Sequence, residues 1–380
     1  MNKIPFPTTV DFALTGKCNL KCKHCNTSDT WDLKEELSFK EILSVLDQLK
    51  EEKVFNLNLF GGEPFSYPKI HELFEEINSY PLRISILTNG TLIDKASMKS
   101  LKGLKFLSNI QVSIDGSNAA IHDWQRGQGS FCRSIEAVKS LIKNDLPVSV
   151  KAIINMHNYS DIENMVKLAL SLGLKSMDFG DAVECGRAAL YSSDMCFEGR
   201  LHRDIVNGMF YLRKKYPHFH FGGTLSQKME MLKDFYSKGP GGGGRGTFST
   251  CPAGQNMLSI RSDGKVVPCS AFWTLICGDI RKDSLREIWN NSELLDQIRR
   301  LADEPLVKYN KECNECDYLS YCNGGCRAAA YYSAGNDLKG ILKANCLVFS
   351  SLYGYRASKE TVLDGAKDDE EFCKVRNETC

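Results

Sequence analysis

Apolar residues recur in two alternating rhythms along roughly the first half of the chain. Short β-branched and apolar runs at 8–15, 54–60, 83–87, 110–114, 148–154 and 176–180 predict strands. The stretches between them carry the three- and four-residue spacing of amphipathic helices. These are Ile42, Leu43, Leu46 and Leu49; segments around 68–79 and 94–102; Ile135, Val138, Leu141 and Ile142; and a segment from Ser160 to about 172. Ser38 to Glu41 and Ser160 to Glu163 have the form of capping boxes. Six strand-then-helix units predict a parallel sheet with right-handed crossovers.

Polar and glycine-rich segments fall where the predicted strands end. The strand at 8–15 runs into Cys18-Asn19-Leu20-Lys21-Cys22-Lys23-His24-Cys25, and later strands end in Gly61-Gly62-Glu63-Pro64, Thr88-Asn89-Gly90, Ser113-Ile114-Asp115-Gly116 and Asn155. In a parallel barrel or open sheet these carboxyl ends share one face, and that face carries the active site.

The pattern changes after the sixth strand. Residues 199–236 read as helical, and Lys238 to Gly246 is too glycine-rich for either regular element. The glycines lack a preceding strand and a following Lys-Ser/Thr, so they read as a linker rather than a phosphate loop. Beyond them come Cys251, a hairpin over 257–267, Cys269, a helix near 284–300, Cys313, Cys316, Cys322, Cys326 and Cys346. The tail has an acidic run, with Cys373 and Cys380 after it.

Composition narrows the chemistry. In 380 residues, 48 Lys and Arg oppose 47 Asp and Glu, so charge gives no argument for nucleic acid or an anionic membrane. No apolar run reaches the 18 or so residues of a membrane span, and Met1 to Pro7 lacks the apolar core of a signal peptide. We expect a soluble cytoplasmic protein. Sixteen cysteines in such a chain are better read as ligands of a soft metal or iron–sulfur than as disulfides. Three thiolates at Cys18, Cys22 and Cys25 can hold three corners of a cubane cluster and leave the fourth iron open. A structural zinc loop with His24 or a distant residue as fourth ligand is the alternative, and a zinc ribbon is the alternative for the later cysteines. Cys132 on its helix reads as a small buried hydrophobe, and Phe272 and Trp273 as core or shielding for a cluster.

The cysteine triplet, Gly-Gly-Glu-Pro, Thr-Asn-Gly and Ser-Ile-Asp-Gly, in that order on successive strands, resemble the radical S-adenosylmethionine (SAM) enzymes. The later cysteines resemble the SPASM extension of that superfamily: Cys251-x12-Gly264-x4-Cys269, then Cys313, Cys316, Cys322 and Cys326, then Cys346 match its seven positions. The resemblance implies an α/β fold, a partial (β/α)6 TIM-type barrel over 1–225. A Gly-rich linker (226–250), a cysteine-rich SPASM domain (251–350) and a tail (351–380) would follow. It implies three 4Fe–4S clusters and SAM as cofactors. Cys18, Cys22 and Cys25 would hold the catalytic cluster, whose open iron SAM would chelate. Gly61, Gly62 and Glu63 would take the methionyl ammonium, Ser113 the ribose or methionyl part, and Arg133 the SAM carboxylate. Cys313, Cys316, Cys322 and Cys346 would hold the distal auxiliary cluster, and Cys251, Cys269 and Cys326 the proximal one. For the latter's fourth ligand Cys277 is the nearest candidate, followed by Cys185 and Cys196, or the iron is open to a substrate thiolate.

The implied activity is reductive cleavage of SAM to a 5′-deoxyadenosyl radical and oxidative modification of a ribosomally made peptide, by cross-link, thioether or similar change. A flavodoxin- or ferredoxin-type donor would serve it. With the first strand near residue 8, a separate partner protein would supply peptide recognition. Formylglycine formation and tetrapyrrole side-chain processing are alternatives within the resemblance, since the segment 184–188 is similar to one seen in peptide and tetrapyrrole enzymes alike. A non-catalytic iron–sulfur carrier is the alternative from another class, and would leave Gly61-Gly62-Glu63 without a ligand.

Overall fold

The computed structural model describes residues 5–30, 33, 35–197, 200–240, 242, 251–342 and 346. The tail with Cys373 and Cys380, and the linker positions 241 and 243–250, lie outside the described residues.

The strands β1 (Thr9–Ala13), β2 (Asn56–Phe60), β3 (Arg83–Thr88), β4 (Leu107–Ser113), β5 (Val148–Ile154) and β6 (Ser176–Asp181) form at the alternating runs. A seventh, β7 (His220–Gly222), follows the helix Arg200–Lys215, and all seven pair in parallel in chain order. Strands β8 (Met257–Ile260), β9 (Lys265–Val267) and β10 (Gly278–Asp279) continue the same sheet from the other side of β1. The full order is β10-β9-β8-β1-β2-β3-β4-β5-β6-β7, an open barrel whose ends do not meet. The β1–β8 contact is parallel, with Val10 opposite Leu258 and Phe12 opposite Ile260. The β8–β9–β10 turns are antiparallel.

The helices cover the sheet through the residues that set their period. In Phe39–Glu51, Ile42, Val45, Leu46 and Leu49 are buried, and Ser38 and Glu41 form the reciprocal capping box. The core joins them to Val10, Phe12, Leu57, Leu59, Ile84 and Ile86. No helix among the described residues is long and apolar enough to cross a membrane.

Three expectations are corrected. Ser160 does not cap a helix: a 3-10 turn at Tyr159–Asp161 precedes Ile162–Ser171, and the Glu163 carboxylate takes Lys215 and Tyr216 instead. The stretch 226–250 opens as helix rather than linker, because Leu225, Met229, Leu232 and Phe235 bury one face of Gly223–Lys238. The helical pattern over 199–236 hid β7, whose three residues are too few to show an alternation.

The start of that helix is locked to β6. Asp181 accepts from Thr224 Oγ1 and Lys228 Nζ, each at 2.9 Å, and His202 Nε2 lies 2.8 Å from the same Lys228 Nζ. Lys228, with His202 beside it, holds the Asp181 carboxyl well below the usual carboxylate range despite burial.

Candidate functional site

The loop after β1 is built against the end of β2. Gly62 N donates to Thr15 O (2.7 Å) and Glu63 N to Lys17 O (2.9 Å). A Cβ at Gly62 would lie 2.4 Å from Gly16 O and 2.3 Å from Lys17 O, so only glycine lets the two segments approach this closely. Gly61 takes a φ of 152°, in the region that glycine favours. Glu63 is fully buried, and its carboxylate accepts from Phe65 N (3.2 Å), Thr88 Oγ1 (2.7 Å) and Asn89 N (2.8 Å). The end of β2 is thereby tied to the end of β3. Asn89 Nδ2 reaches Asn19 Oδ1 at 3.0 Å and stands 4.0 Å from Cys18 Sγ. Four internal acceptor positions are the capacity of a carboxylate, so Glu63 keeps about one beyond its three bonds.

Behind the triplet lies a buried polar network that the periodicity did not reveal. The helix Ala119–Arg126 has Asn118 as N-cap and buries His122, Asp123, Gln125 and Arg126. Arg126 Nε bonds the Asp115 carboxylate, its Nη2 lies 3.3 Å from His24 Nε2, and its Nη1 lies 3.9 Å from Cys22 Sγ. Gln125 Nε2 is 2.8 Å from His24 Nδ1, and Lys23 N donates to Gln125 O at 2.9 Å. Ile153 N donates to Asp115 Oδ1 at 2.8 Å, and Asn158 Nδ2 to Asp115 O at 2.9 Å. The buried positions of this helix are polar and its Ile121 and Trp124 are only half-buried, which is why pattern alone passed over it. The available signal was the Asn118 cap and the Gly127 that ends it.

The segment 184–188 closes over the same loop. Arg187 N donates to Cys25 O (2.9 Å) and Arg187 Nε to Cys22 O (3.1 Å). At Gly186, with φ 56°, a Cβ would stand 2.6 Å from Cys25 O. Asn26 Nδ2 reaches Ser270 O at 3.3 Å, so the first cysteine loop touches the chain beside Cys269.

Ser113 ends β4 half-buried, opposite Lys151 of β5. Arg133 is exposed in the first turn of Ser130–Lys143, and the arginines that the fold brings to the triplet are Arg126 and Arg187. Cys132 is exposed rather than buried.

Among the later cysteines, Cys251, Cys269 and Cys326 lie within electrostatic reach of one another. Cys269 and Cys251 are pushed up by burial and by the neighbouring thiols, while Cys326 is exposed. Phe272 is fully buried in the apolar cluster that Cys251 and Cys269 pack against. Trp273 is buried against Phe60. Cys277 does not join this group. Its neighbours are Ser292 and Arg299, its N–H donates to Val266 O (2.7 Å), and it packs on the main core. Cys196 lies beside Glu184, and Cys185 is buried within electrostatic reach of Tyr332. Cys313 and Cys346 pack against one small cluster built on Leu306 and Ile341, and Cys316 and Cys322 against the main core.

Residues 12–169 match the model of the radical SAM superfamily, and residues 251–317 match the SPASM model, an iron–sulfur cluster-binding domain. The chain carries a radical SAM domain followed by a SPASM domain. It is 29% identical over 344 residues to an AdoMet-dependent heme synthase of Methanosarcina barkeri, covering 88% of this chain and 95% of that one. It is 27% identical to the antilisterial bacteriocin subtilosin biosynthesis protein AlbA of Bacillus subtilis, covering 86% of this chain and 68% of that one. In fold it is similar to native anSMEcpe with bound AdoMet (TM-score 0.71, 19% identity, 97% of this chain and 99% of that one).

As a radical SAM protein with a SPASM domain, the chain binds SAM, a 4Fe–4S cluster and auxiliary iron–sulfur clusters. Its residues suit these groups. Burial pushes the Cys22 thiol up to about 12 and the Cys18 thiol up to about 11, so each needs a bound cation to ionise. His24 has both ring nitrogens engaged, by Arg126 and Gln125, and is not available as the fourth ligand of a zinc site.

Two consequences can be measured. Cys277→Ala is expected to leave the iron content of the reconstituted protein unchanged; loss of about four irons per chain would restore Cys277 as a ligand. Burial pushes the Glu63 carboxyl up to about 7 from an ordinary 4.5. The folded state therefore holds this proton more tightly than the unfolded chain, and the stability it contributes at low pH is lost as pH rises from about 4.5 through 7. Glu63→Gln is expected to flatten this part of the profile, so the melting temperature of the parent should fall more than that of the variant between pH 5 and 8. Parallel profiles would contradict it.

Proposed function

We propose that this radical SAM protein oxidatively modifies a ribosomally made peptide in the cytoplasm, with a flavodoxin- or ferredoxin-type protein as electron donor. The observation that carries the reading is the Cys251, Cys269 and Cys326 group, which buries one side and leaves Cys326 exposed. The three thiols would hold an auxiliary cluster there, with the exposed Cys326 as the part that the side chain of a long substrate would meet first. Relatives named as peptide processors support the same reading: AlbA, the mycofactocin maturase MftC of Mycolicibacterium smegmatis at 26% identity and the PqqA peptide cyclase of Ruegeria pomeroyi at 28%.

Cys18, Cys22 and Cys25 would hold the catalytic cluster. When bound, the cluster and SAM supply a one-electron reductive cleavage that gives a 5′-deoxyadenosyl radical able to take hydrogen from an unactivated carbon. The remainder is positioning. The Gly61–Gly62 backbone and the lone pair left on Glu63 would receive the methionyl ammonium, and Ser113 at the end of β4 would meet the ribose or methionyl part. Cys313, Cys316, Cys322 and Cys346 would hold the second auxiliary cluster.

A second reading, tetrapyrrole side-chain processing, is favoured by one observation: the heme synthase relative is covered over 95% of its length. Anaerobically reconstituted protein with SAM and dithionite separates the two. A precursor peptide encoded next to this gene should change in mass while 5′-deoxyadenosine forms. An unchanged peptide, with mass loss instead in a porphyrin bearing propionate side chains, would overturn the first reading. No 5′-deoxyadenosine with either substrate would leave an electron carrier.

A further inference from the structure

The Ser-Ile-Asp-Gly motif holds one residue, Asp115, that the proposed SAM contacts do not use. Asp115 has no solvent exposure, and it holds Arg126, which is 8% exposed, against the triplet. We propose that Arg126 is a positioning residue that raises the reduction potential of the cluster on Cys18, Cys22 and Cys25, by aiming a fixed positive charge at the Cys22 sulfur. The inference rests on the reading of those three cysteines as its ligands.

The guanidinium is held on three sides. Its Nε is on the Asp115 carboxylate, Nη2 is 3.3 Å from His24 Nε2, and Nη1 is 3.9 Å from Cys22 Sγ. Asp115 is itself fixed by Ile153 N at 2.8 Å, by His122 Nδ1, which lies 3.1 Å from its own N–H, and by Asn158 Nδ2 on its carbonyl. Arg126 also accepts the Cys22 thiol at its own carbonyl, at 3.9 Å, so backbone and side chain of one residue bracket one sulfur. Within the guanidinium, Nε takes the Asp115 carboxylate while Nη1 is the atom beside Cys22. A donor and a positive charge at a ligand sulfur stabilise the more negative, reduced cluster over the oxidised one, and hydrogen bonds to the sulfurs and net charge are the terms that set such potentials. Low dielectric around the pair keeps the effect from being screened. Asp115 acts on Cys22 with the opposite sign and less strongly, so the pair works as an oriented dipole.

The opposed signs give the test. EPR-monitored redox titration is run on the fully reconstituted protein without SAM, following the signal that changes when SAM is then added. Arg126→Gln is expected to lower the reduced-to-oxidised ratio at a given ambient potential by about tenfold or more, which is about 59 mV for one electron. Asp115→Asn leaves the cation unopposed and is expected to shift the potential upward. Arg126→Lys keeps the charge and should titrate nearer the parent than Arg126→Gln. Shifts of the same sign in Arg126→Gln and Asp115→Asn, or no shift in a protein that retains its iron, overturn the proposal. If Arg126→Gln does not load the cluster, Asp115→Asn decides alone: upward supports, unchanged or downward overturns. If neither variant loads it, the pair serves assembly only and the proposal fails. A parent whose EPR signals ignore SAM would instead overturn the ligand reading of Cys18, Cys22 and Cys25.

Discussion

Cys22→Ala is expected to take the reconstituted protein from about 12 irons per chain to about 8, and SAM cleavage with dithionite to the level seen without protein. Of the three thiols in the loop Cys22 is the buried one, enclosed by Arg126 and by the Arg187 contact to its carbonyl. Among the described residues, Cys185, Cys196 and the Cys251 group each have surroundings of their own. The auxiliary clusters depend on residues after 250 and should persist, so the residual iron separates loss of one cluster from general unfolding. Full iron content together with abolished cleavage would contradict the ligand assignment, and retained cleavage would contradict the whole reading.

Gly62→Ala should come close to the same phenotype without touching a ligand. The added methyl would lie at 2.3 and 2.4 Å from two backbone carbonyls that lead directly into Cys18. Neither oxygen can rotate away as a side-chain tip would, so the β1 loop and the end of β2 must separate. Overpacking of this kind typically costs about 1–3 kcal/mol and occasionally more. The displaced loop also carries the lever arm for three ligands, so iron loading should fall together with melting temperature. Normal loading and SAM turnover in Gly62→Ala would show that the close approach is not required.

The strand ends were legible in the sequence because a parallel sheet puts all its carboxyl termini on one face. Once the alternating runs were placed, Cys18–Cys25, Gly61–Glu63, Thr88–Gly90 and Asp115 had to converge. What they do to one another was not legible. That Glu63 ties β3 to β2 through Thr88 and Asn89 depends on side-chain direction, which period does not encode. The Arg126 network escaped for a different reason. Its helix buries His122, Asp123, Gln125 and Arg126 while Ile121 and Trp124 stay half-buried, so hydrophobic periodicity does not report the buried face. Arg133 came from the resemblance alone; the fold leaves it exposed in the first turn of its helix, and the buried arginine beside the triplet is Arg126. Cys277 shows the limit of distance along the chain: eight residues from Cys269, it is carried away because its own N–H is committed to pairing with Val266.

The parallel contact between β1 and β8 has a consequence for how the protein is made. A nascent chain has β2 available for one edge of β1 soon after residue 60 emerges, but the other edge waits for Met257–Ile260. Through that interval Val10 and Phe12, both without solvent exposure in the finished fold, border an unsatisfied row of backbone donors and acceptors. Such an edge is a template for pairing with another chain. The C-terminal half therefore acts as a built-in stopper for the first strand, and a fragment ending before residue 257 should aggregate even though its barrel strands are all present.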